Sequence, residues 1–172
     1  PPPELTPEIQ STPPPQRSIA SLIGQKLGKY YVSSQLGKGA SGVVLLANHT
    51  ILNIPLAIKI LDPLLAHHHP ELLKRFMQEA RSAARIAHPN IVRVIDCDVI
   101  ENFNVIVMEY VDGISVADLI KTNGMVSEDR ALRIVHSTAD GLEAALETGI
   151  IHRDIKPANI MVTKTKQVKL AD

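Results

Sequence analysis

A change of hydrophobic rhythm near Gly113 constrains this chain more than any other feature. Before it, apolar and β-branched residues come in short runs bounded by turn residues: Tyr31 to Leu36, Gly42 to Asn48, Pro55 to Leu61, Ile91 to Cys97 and Phe103 to Tyr110. Runs of that length and composition read as strands. One helical stretch interrupts them at Pro70 to Ala87, where Leu72, Leu73, Phe76, Met77, Ala80, Ala83 and Ala84 recur at three- and four-residue spacing. After Gly113 the rhythm is mainly helical. A short helix is expected around Val116 to Lys121 and a longer one from about Ser127 to Thr148, with Ser127 as N-cap and Gly149 as stop. Ile160 to Val162 and Gln167 to Leu170 are spaced to pair as a hairpin. Five strands with one helix, followed by a helical unit, predict an α+β chain in two parts.

The ends behave differently. Seven of the first 15 residues are proline, which excludes a helix or a sheet ladder there and predicts an extended or disordered linker over residues 1–21. A docking site for a proline-recognition partner in residues 1–15 is the competing reading. Folded structure is expected to begin between Leu22 and Tyr30. The chain starts at Pro1 and stops at Asp172 directly after a strand-like run, so it reads as a fragment.

With 18 basic and 18 acidic residues the net charge is zero, which gives no support for a nucleic-acid-binding face. Cys97 is the single cysteine, so no intrachain disulfide forms, a reducing compartment is expected, and the thiol reads as a core residue. No apolar run reaches the length of a membrane span, and no signal-peptide pattern appears. His67, His68 and His69 are adjacent and cannot converge on one metal from a rigid face, so they are expected in an exposed turn. His152 is expected to pack, and His88-Pro89-Asn90 to form a structural turn.

Three stretches carry chemistry. Leu36-Gly37-Lys38-Gly39-Ala40-Ser41-Gly42-Val43-Val44 holds glycines at G-x-G-x-x-G spacing. Glycine lets a backbone approach phosphate oxygens closely. A dinucleotide-binding turn shares that spacing but opens a helix, whereas Val43 to Leu46 reads as a strand. A strand-turn-strand flap is favoured, and by itself it suits a plain hairpin as well as a nucleotide cover. Leu56-Ala57-Ile58-Lys59 sets a lysine on an apolar strand, which alone reads as a solvent-facing residue. Ile151-His152-Arg153-Asp154-Ile155-Lys156-Pro157-Ala158-Asn159 puts Asp154, Lys156 and Asn159 on one short loop. That spacing suits a base, a phosphate clamp and a metal ligand around one small site.

Taken together and in this order, the three stretches resemble the protein kinase superfamily, whose patterns are G-x-G-x-x-G-x-V, V-A-I-K and H-R-D-L-x-x-x-N, here with Leu56 for Val and Ile155 for Leu. Gly149 to Val162 and Met108 to Gly113 look most like bacterial eukaryote-like Ser/Thr protein kinases. The resemblance implies a two-lobed kinase-like fold: a small lobe over residues 22–111, of five antiparallel strands plus one helix, and the first part of a helical large lobe over 112–172. It implies ATP and Mg²⁺ as cofactors and protein Ser/Thr hydroxyls as acceptors.

Residue roles follow from the same resemblance. Asp154 would accept or orient the acceptor's proton, and Lys156 would neutralise the γ-phosphoryl group. Lys59 would contact the α- and β-phosphates, with Glu79 of the following helix as its partner. Asn159 and Asp172 would ligate Mg²⁺, and Arg153 implies a pocket for an activation-loop phosphate. Leu36 to Gly42, Val44, Ala57 and Met161 would enclose the nucleotide. Met108 would be the gatekeeper, and backbone groups of Glu109 and Val111 would meet the adenine edge.

The resemblance implies a cytoplasmic domain, with any membrane anchor outside this segment, and no phosphorylation by residues 1–172 alone. The alternative is a nucleotide-binding pseudokinase or scaffold without catalysis; its usual sign, loss of the lysine, base or metal ligand, is absent from this sequence. A helix such as Ser127 to Thr148 is expected to expose an apolar face.

Overall fold

The computed structural model describes residues 17–39 and 42–171. The proline-rich segment, Ala40, Ser41 and Asp172 lie outside the described residues. A 3-10 helix at Ile19–Leu22 begins the described fold. Six strands then build an antiparallel sheet: β1 (Lys26–Leu27), β2 (Tyr30–Lys38), β3 (Gly42–His49), β4 (Pro55–Leu61), β5 (Val94–Ile100) and β6 (Phe103–Glu109), in the order β1-β2-β3-β4-β6-β5. The five expected strands are all present. The two-residue β1, too short to show a rhythm, joins the edge of β2.

Alternation sorts this sheet into two faces. Leu56, Ile58 and Ile60 of β4 and Phe103, Val105 and Val107 of β6 point into one core, closed by Leu22, Leu27, Tyr30 and Val32. Residues between them point the other way. Leu61 and Ile106 on that second face meet Leu73, Phe76 and Ala80 of α2 (Pro70–Ala83). Those three helical residues are spaced i, i+3 and i+7, which places them on one stripe of the helix. Cys97 lies half-buried beneath α2 with its Sγ 3.6 Å from Met77 Sδ, and burial pushes its thiol pKa up.

Three local expectations need correction. The helical stretch ends at Ala83, not Ala87. It is preceded by a separate helix, α1 (Pro63–His68), which has Asp62 as N-cap accepting from the Leu64 N–H at 2.9 Å and proline at its first position. Pro70 then starts α2 afresh, because its missing N–H cannot extend α1. His67 and His68 are thus exposed on the last turn of α1, not in a loop. The strand expected at Ile91 begins instead at Val94, since Ile91 pairs elsewhere, with Leu170.

The second part holds α3 (Val116–Asn123), α4 (Glu128–Glu147) and a three-stranded sheet of β7 (Gly113–Ser115), β8 (Ile160–Thr163) and β9 (Val168–Leu170). The expected hairpin is β8–β9. The short β7 adds to its edge. Ser127 sits at the N-cap of α4 without a side-chain bond, leaving Glu128 and Asp129 to complement the helix dipole. At the other end, Gly149 takes φ 77° and its N–H reaches Leu146 O at 2.8 Å, while Ile150 N–H reaches Ala145 O at 3.0 Å. This is a Schellman cap. Its apolar partner contact is present too, for Ile150 packs against Ala145, Ile86 and Ile91.

One segment, residues 86–92, joins the two sheets. Asn90 O accepts from Leu170 N–H at 2.8 Å, Val92 N–H donates to Leu170 O at 2.9 Å, and Asn90 Nδ2 donates to Val168 O at 2.8 Å. On its other side, Gly141 of α4 packs so close that an added Cβ would lie 3.0 Å from Asn90 O. The apolar face expected on α4 is present at Leu132, Val135 and Leu146, each more than half exposed. No helix among the described residues is long and apolar enough to cross a membrane.

Of the loop glycines, Gly42 has a steric reason to be glycine: an added Cβ would lie 2.0 Å from Ile60 O, whereas at Gly37 and Gly39 it would meet nothing within 4 Å. Gly42→Ala should therefore force β3 away from β4 and destabilise the protein by about 1–3 kcal/mol. Gly37→Ala should leave the melting temperature nearly unchanged. Paired thermal melts of the two variants check this.

Candidate functional site

The β3–β4–β6 register assembles one wall of the site. Val44 pairs with Lys59, and Lys59 with Ile106; Ala57 pairs with Met108 in the next row of that face. Partners directly across an antiparallel ladder share a face. Val44, Ala57, Lys59 and Met108 thus lie together on the face opposite the Leu56–Ile58–Ile60 core. The glycine turn projects from the end of the same strands, with Gly39 N–H bonded to Gly42 O at 2.8 Å. Leu36 is exposed and falls at an irregularity between Gln35 and Gly37, where the β2–β3 register shifts. Gly37 pairs with Val44 and Lys38 with Val43, so the loop's near side remains strand.

The opposite wall comes from β8 and the loop before it. The Schellman cap turns the chain out of α4, and Arg153 takes φ 65°, a left-handed conformation uncommon for a residue with a side chain. The Asp154 N–H donates to His152 Nδ1 at 3.3 Å. His152 is therefore a positioning group in the loop, as expected of a packed histidine.

Three of the expected catalytic and metal-binding side chains meet here. Lys156 Nζ lies 2.6 Å from Asp154 Oδ2. Asn159 Nδ2 donates to the same oxygen at 3.0 Å and to the Asp154 carbonyl at 2.9 Å. The Lys156 hydrogen bond, then that of Asn159, holds the Asp154 carboxyl below its ordinary pKa. The carboxylate is thus ionised throughout the neutral range.

Asn159 is itself fixed, since its carbonyl accepts from Ala171 N–H at 2.8 Å at the end of β9. With Nδ2 committed to Asp154, the acceptor left on its side chain is Oδ1, a hard oxygen of the kind Mg²⁺ selects. The expected second metal ligand, Asp172, lies outside the described residues, as do Ala40 and Ser41 of the glycine loop. Met161 pairs with Ser115 and Lys169, on the face of β8 opposite Val162.

Glu79 is placed differently from the others. It is exposed on α2, and no ion pair to it is found among the described residues. Glu109, expected to act through its backbone, also has a side-chain role that sequence reading missed. Its Oε1 accepts from Lys169 Nζ at 2.6 Å and from the Arg93 N–H at 2.8 Å, while its own N–H donates to Arg93 O at 3.0 Å. Lys169 is largely buried, so this pair ties the β6 end of the first sheet to β9 of the second. The available signal was a lysine in a strand-like run, and nothing in spacing links it to a residue 60 positions earlier. Val111 follows β6 in irregular backbone before β7, half-buried.

Replacing Lys156 by Met should raise the Asp154 pKa toward the ordinary carboxylate value, because the largest cause of its depression is removed. Carboxyl-carbon NMR titration of the two proteins checks this. The loop contact depends on the ionised form, so in the unsubstituted chain it is present above the ordinary range and is lost as pH falls through the lowered pKa.

Comparison with known proteins agrees with this geometry. A family model described as "Protein kinase domain" matches residues 30–172. The chain is 40 % identical over 152 residues to a probable serine/threonine-protein kinase of Clostridium perfringens, covering 88 % of this chain and 22 % of that protein. It is 38 % identical over 148 residues to serine/threonine-protein kinase PknB of Mycobacterium tuberculosis, covering 84 % of this chain and 24 % of the relative. Among solved structures, the kinase domain of Mycobacterium tuberculosis PknI (C20A mutant) superposes with a TM-score of 0.75 at 33 % identity. That match covers 91 % of this chain and 62 % of the other. The chain thus spans less than a quarter of the length of these two curated relatives.

Proposed function

The chain belongs to the protein kinase family, and on that premise we propose that the protein carrying it phosphorylates Ser or Thr hydroxyls of other proteins, with Mg-ATP as donor. The observation that carries this reading is the Asp154–Lys156–Asn159 cluster, whose side chains meet at 2.6 and 3.0 Å on one short loop. The relatives' names, which specify serine and threonine, support the acceptor class.

Mg-ATP would supply the transferable γ-phosphoryl group and the cation that offsets its charge. This chain's own residues do the rest. The face holding Val44, Ala57 and Met108 provides an apolar slot for a flat base, with Met161 from the opposite wall, and with main-chain groups of Glu109 and Val111 along one edge. Gly37 and Gly39 have open space where a Cβ would be, which lets their backbone approach phosphate oxygens. Lys59 offers a cation on the same face for the phosphates, and Glu79 is its proposed partner in the phosphate-bound state.

Asp154 orients the acceptor hydroxyl. Its depressed pKa makes it a weak base in the resting loop, so it takes the proton late, as the oxygen loses electron density to phosphorus. Lys156, already 2.6 Å from Asp154, is placed to balance charge on the group in transit. Asn159 would hold the metal through Oδ1, together with Asp172. Catalysis on this reading is positioning plus electrostatics. A single half-buried cysteine leaves no intrachain disulfide to form, which is in keeping with the cytoplasm as the working compartment.

Asp154→Asn keeps the shape of the loop and removes the base. In the full-length protein it should lower transfer of labelled phosphate from ATP to a protein acceptor by about 10²–10⁴-fold, with ATP affinity nearly unchanged. Turnover within a few fold of the unsubstituted protein would overturn the assignment. ATP binding without transfer in either protein would favour a binding-only scaffold.

A further inference from the structure

The chain passes from β6 to β7 through residues 110–112, which belong to no helix or strand. Lysines of one hairpin hold this segment at both ends. Just before it, Glu109 Oε1 accepts from Lys169 Nζ at 2.6 Å; at its far end, Asp112 Oδ2 accepts from Lys164 Nζ at 2.9 Å. Lys169 lies within β9 and Lys164 in the β8–β9 turn. The two anchors differ in strength. The Lys164 side chain is 79 % exposed, where water and salt screen an ion pair, whereas that of Lys169 is 12 % exposed.

Lys169 pairs directly with Met161 across the β8–β9 ladder, and cross-strand partners share a face. It therefore stands on the same side of the second sheet as the methionine that would lie under a bound base. Its ammonium is spent on Glu109, one of the two residues whose main chain would meet the base edge. Arg93 fixes Glu109 from the other side, its N–H donating to Oε1 at 2.8 Å and its carbonyl accepting from the Glu109 N–H at 3.0 Å. Floor and edge of the slot are thus linked through one side chain. As a tie between sheets the pair is second to the backbone junction, in which Asn90 and Val92 already hold Leu170. The net stability from a buried pair is small as well, because desolvation of the two charges offsets most of their attraction. What the pair supplies is a fixed distance.

From this we propose that Lys169 is a positioning residue for the nucleotide base: acting through Glu109, it sets the main chain of residues 109–111 at a defined height over Met161. This role presupposes the ATP site described above and assigns the side chain that tunes its affinity. Hydrogen bonds weaken steeply when bent, so a base held by main-chain groups is sensitive to a small rotation of the segment that carries them. An anchored segment also has less freedom to lose when the base arrives. The phosphates rely on other parts, the glycine turn and Lys59, so the anchor serves the base alone.

The test is displacement of a fluorescent ATP analogue from the full-length protein by ATP, by adenosine and by inorganic tripolyphosphate, with phosphoryl-transfer kinetics alongside. In Lys169→Met, affinity for ATP and for adenosine should fall together by about tenfold, while tripolyphosphate competes within about twofold of its parent value. Transfer at saturating ATP should stay within about threefold, so KM rises and kcat does not, the mark of an interaction made equally before and during the reaction. Lys169→Arg, which keeps the cation, should recover most of the loss. Lys164→Met, at the exposed anchor, should bind as the parent does. Lys169→Met combined with Glu109→Gln leaves no unpaired charge, so it should melt near the parent and still bind adenosine weakly; it stands in for the single variant if that one does not fold. Unchanged adenosine affinity overturns the assignment. So does an equal loss for tripolyphosphate, or failure of both variants to fold, either of which would make the pair a structural tie. Failure of the parent to bind any nucleotide overturns the ATP site itself, and this role with it.

Discussion

Everything in this molecule that requires two walls depends on a short backbone junction, in which Asn90 and Val92 clasp Leu170. It fixes β9 beside the segment that links α2 to β5. From there rigidity passes along covalent and hydrogen-bonded neighbours: Leu170 to Ala171, Ala171 N–H to Asn159 O, and Asn159 Nδ2 to Asp154. An exposed carboxylate is thereby referenced to the interior of the other sheet. Backbone hydrogen bonds suit this task because they are directional and costly to leave unmade when buried. The Lys169–Glu109 pair adds a second tie on the far face of β9, where low solvent exposure of the lysine strengthens it relative to a surface ion pair.

The site is a place where local and global demands meet. Gly42 is glycine because β4 passes too close for a side chain, which is a packing reason. Gly37 and Gly39 face open space, so their composition is explained by what approaches from outside. Arg153 adopts a left-handed backbone that an ordinary loop residue avoids, next to the residue whose carboxylate the loop presents. Strain concentrated beside a reactive group, and held by surrounding packing, is a common sign of a site whose geometry matters more than its local energy.

Much of this was legible in the sequence because it rests on periodicity. The apolar runs marked β2, β3, β4 and β6, and the stripe Leu73–Phe76–Ala80 marked α2. Three features escaped for physical reasons. α1 is a single capped turn and a half, defined by Asp62 and Pro63 more than by any stripe. The strands β1 and β7 have two and three residues, too short to alternate. Ile91 reads as a strand start by composition, yet the peptide groups flanking it, Asn90 O and Val92 N–H, are used by Leu170, a partner far along the chain. The same limit applies to the site. Asp154, Lys156 and Asn159 are neighbours in sequence and could be read as a set, whereas the side-chain partners of Glu109 come from Arg93 and Lys169, and only the fold joins them.

The position of Cys97 has a practical consequence. It is the chain's sole thiol, half-buried beneath α2, against Met77, and held in its less reactive protonated form by its surroundings. An alkylating reagent added in solution has one address in this chain. The rate at which that address is modified is sensitive to how α2 packs over it, without any label having to be engineered. The helix that carries Glu79 thus comes with a built-in reporter of its own packing.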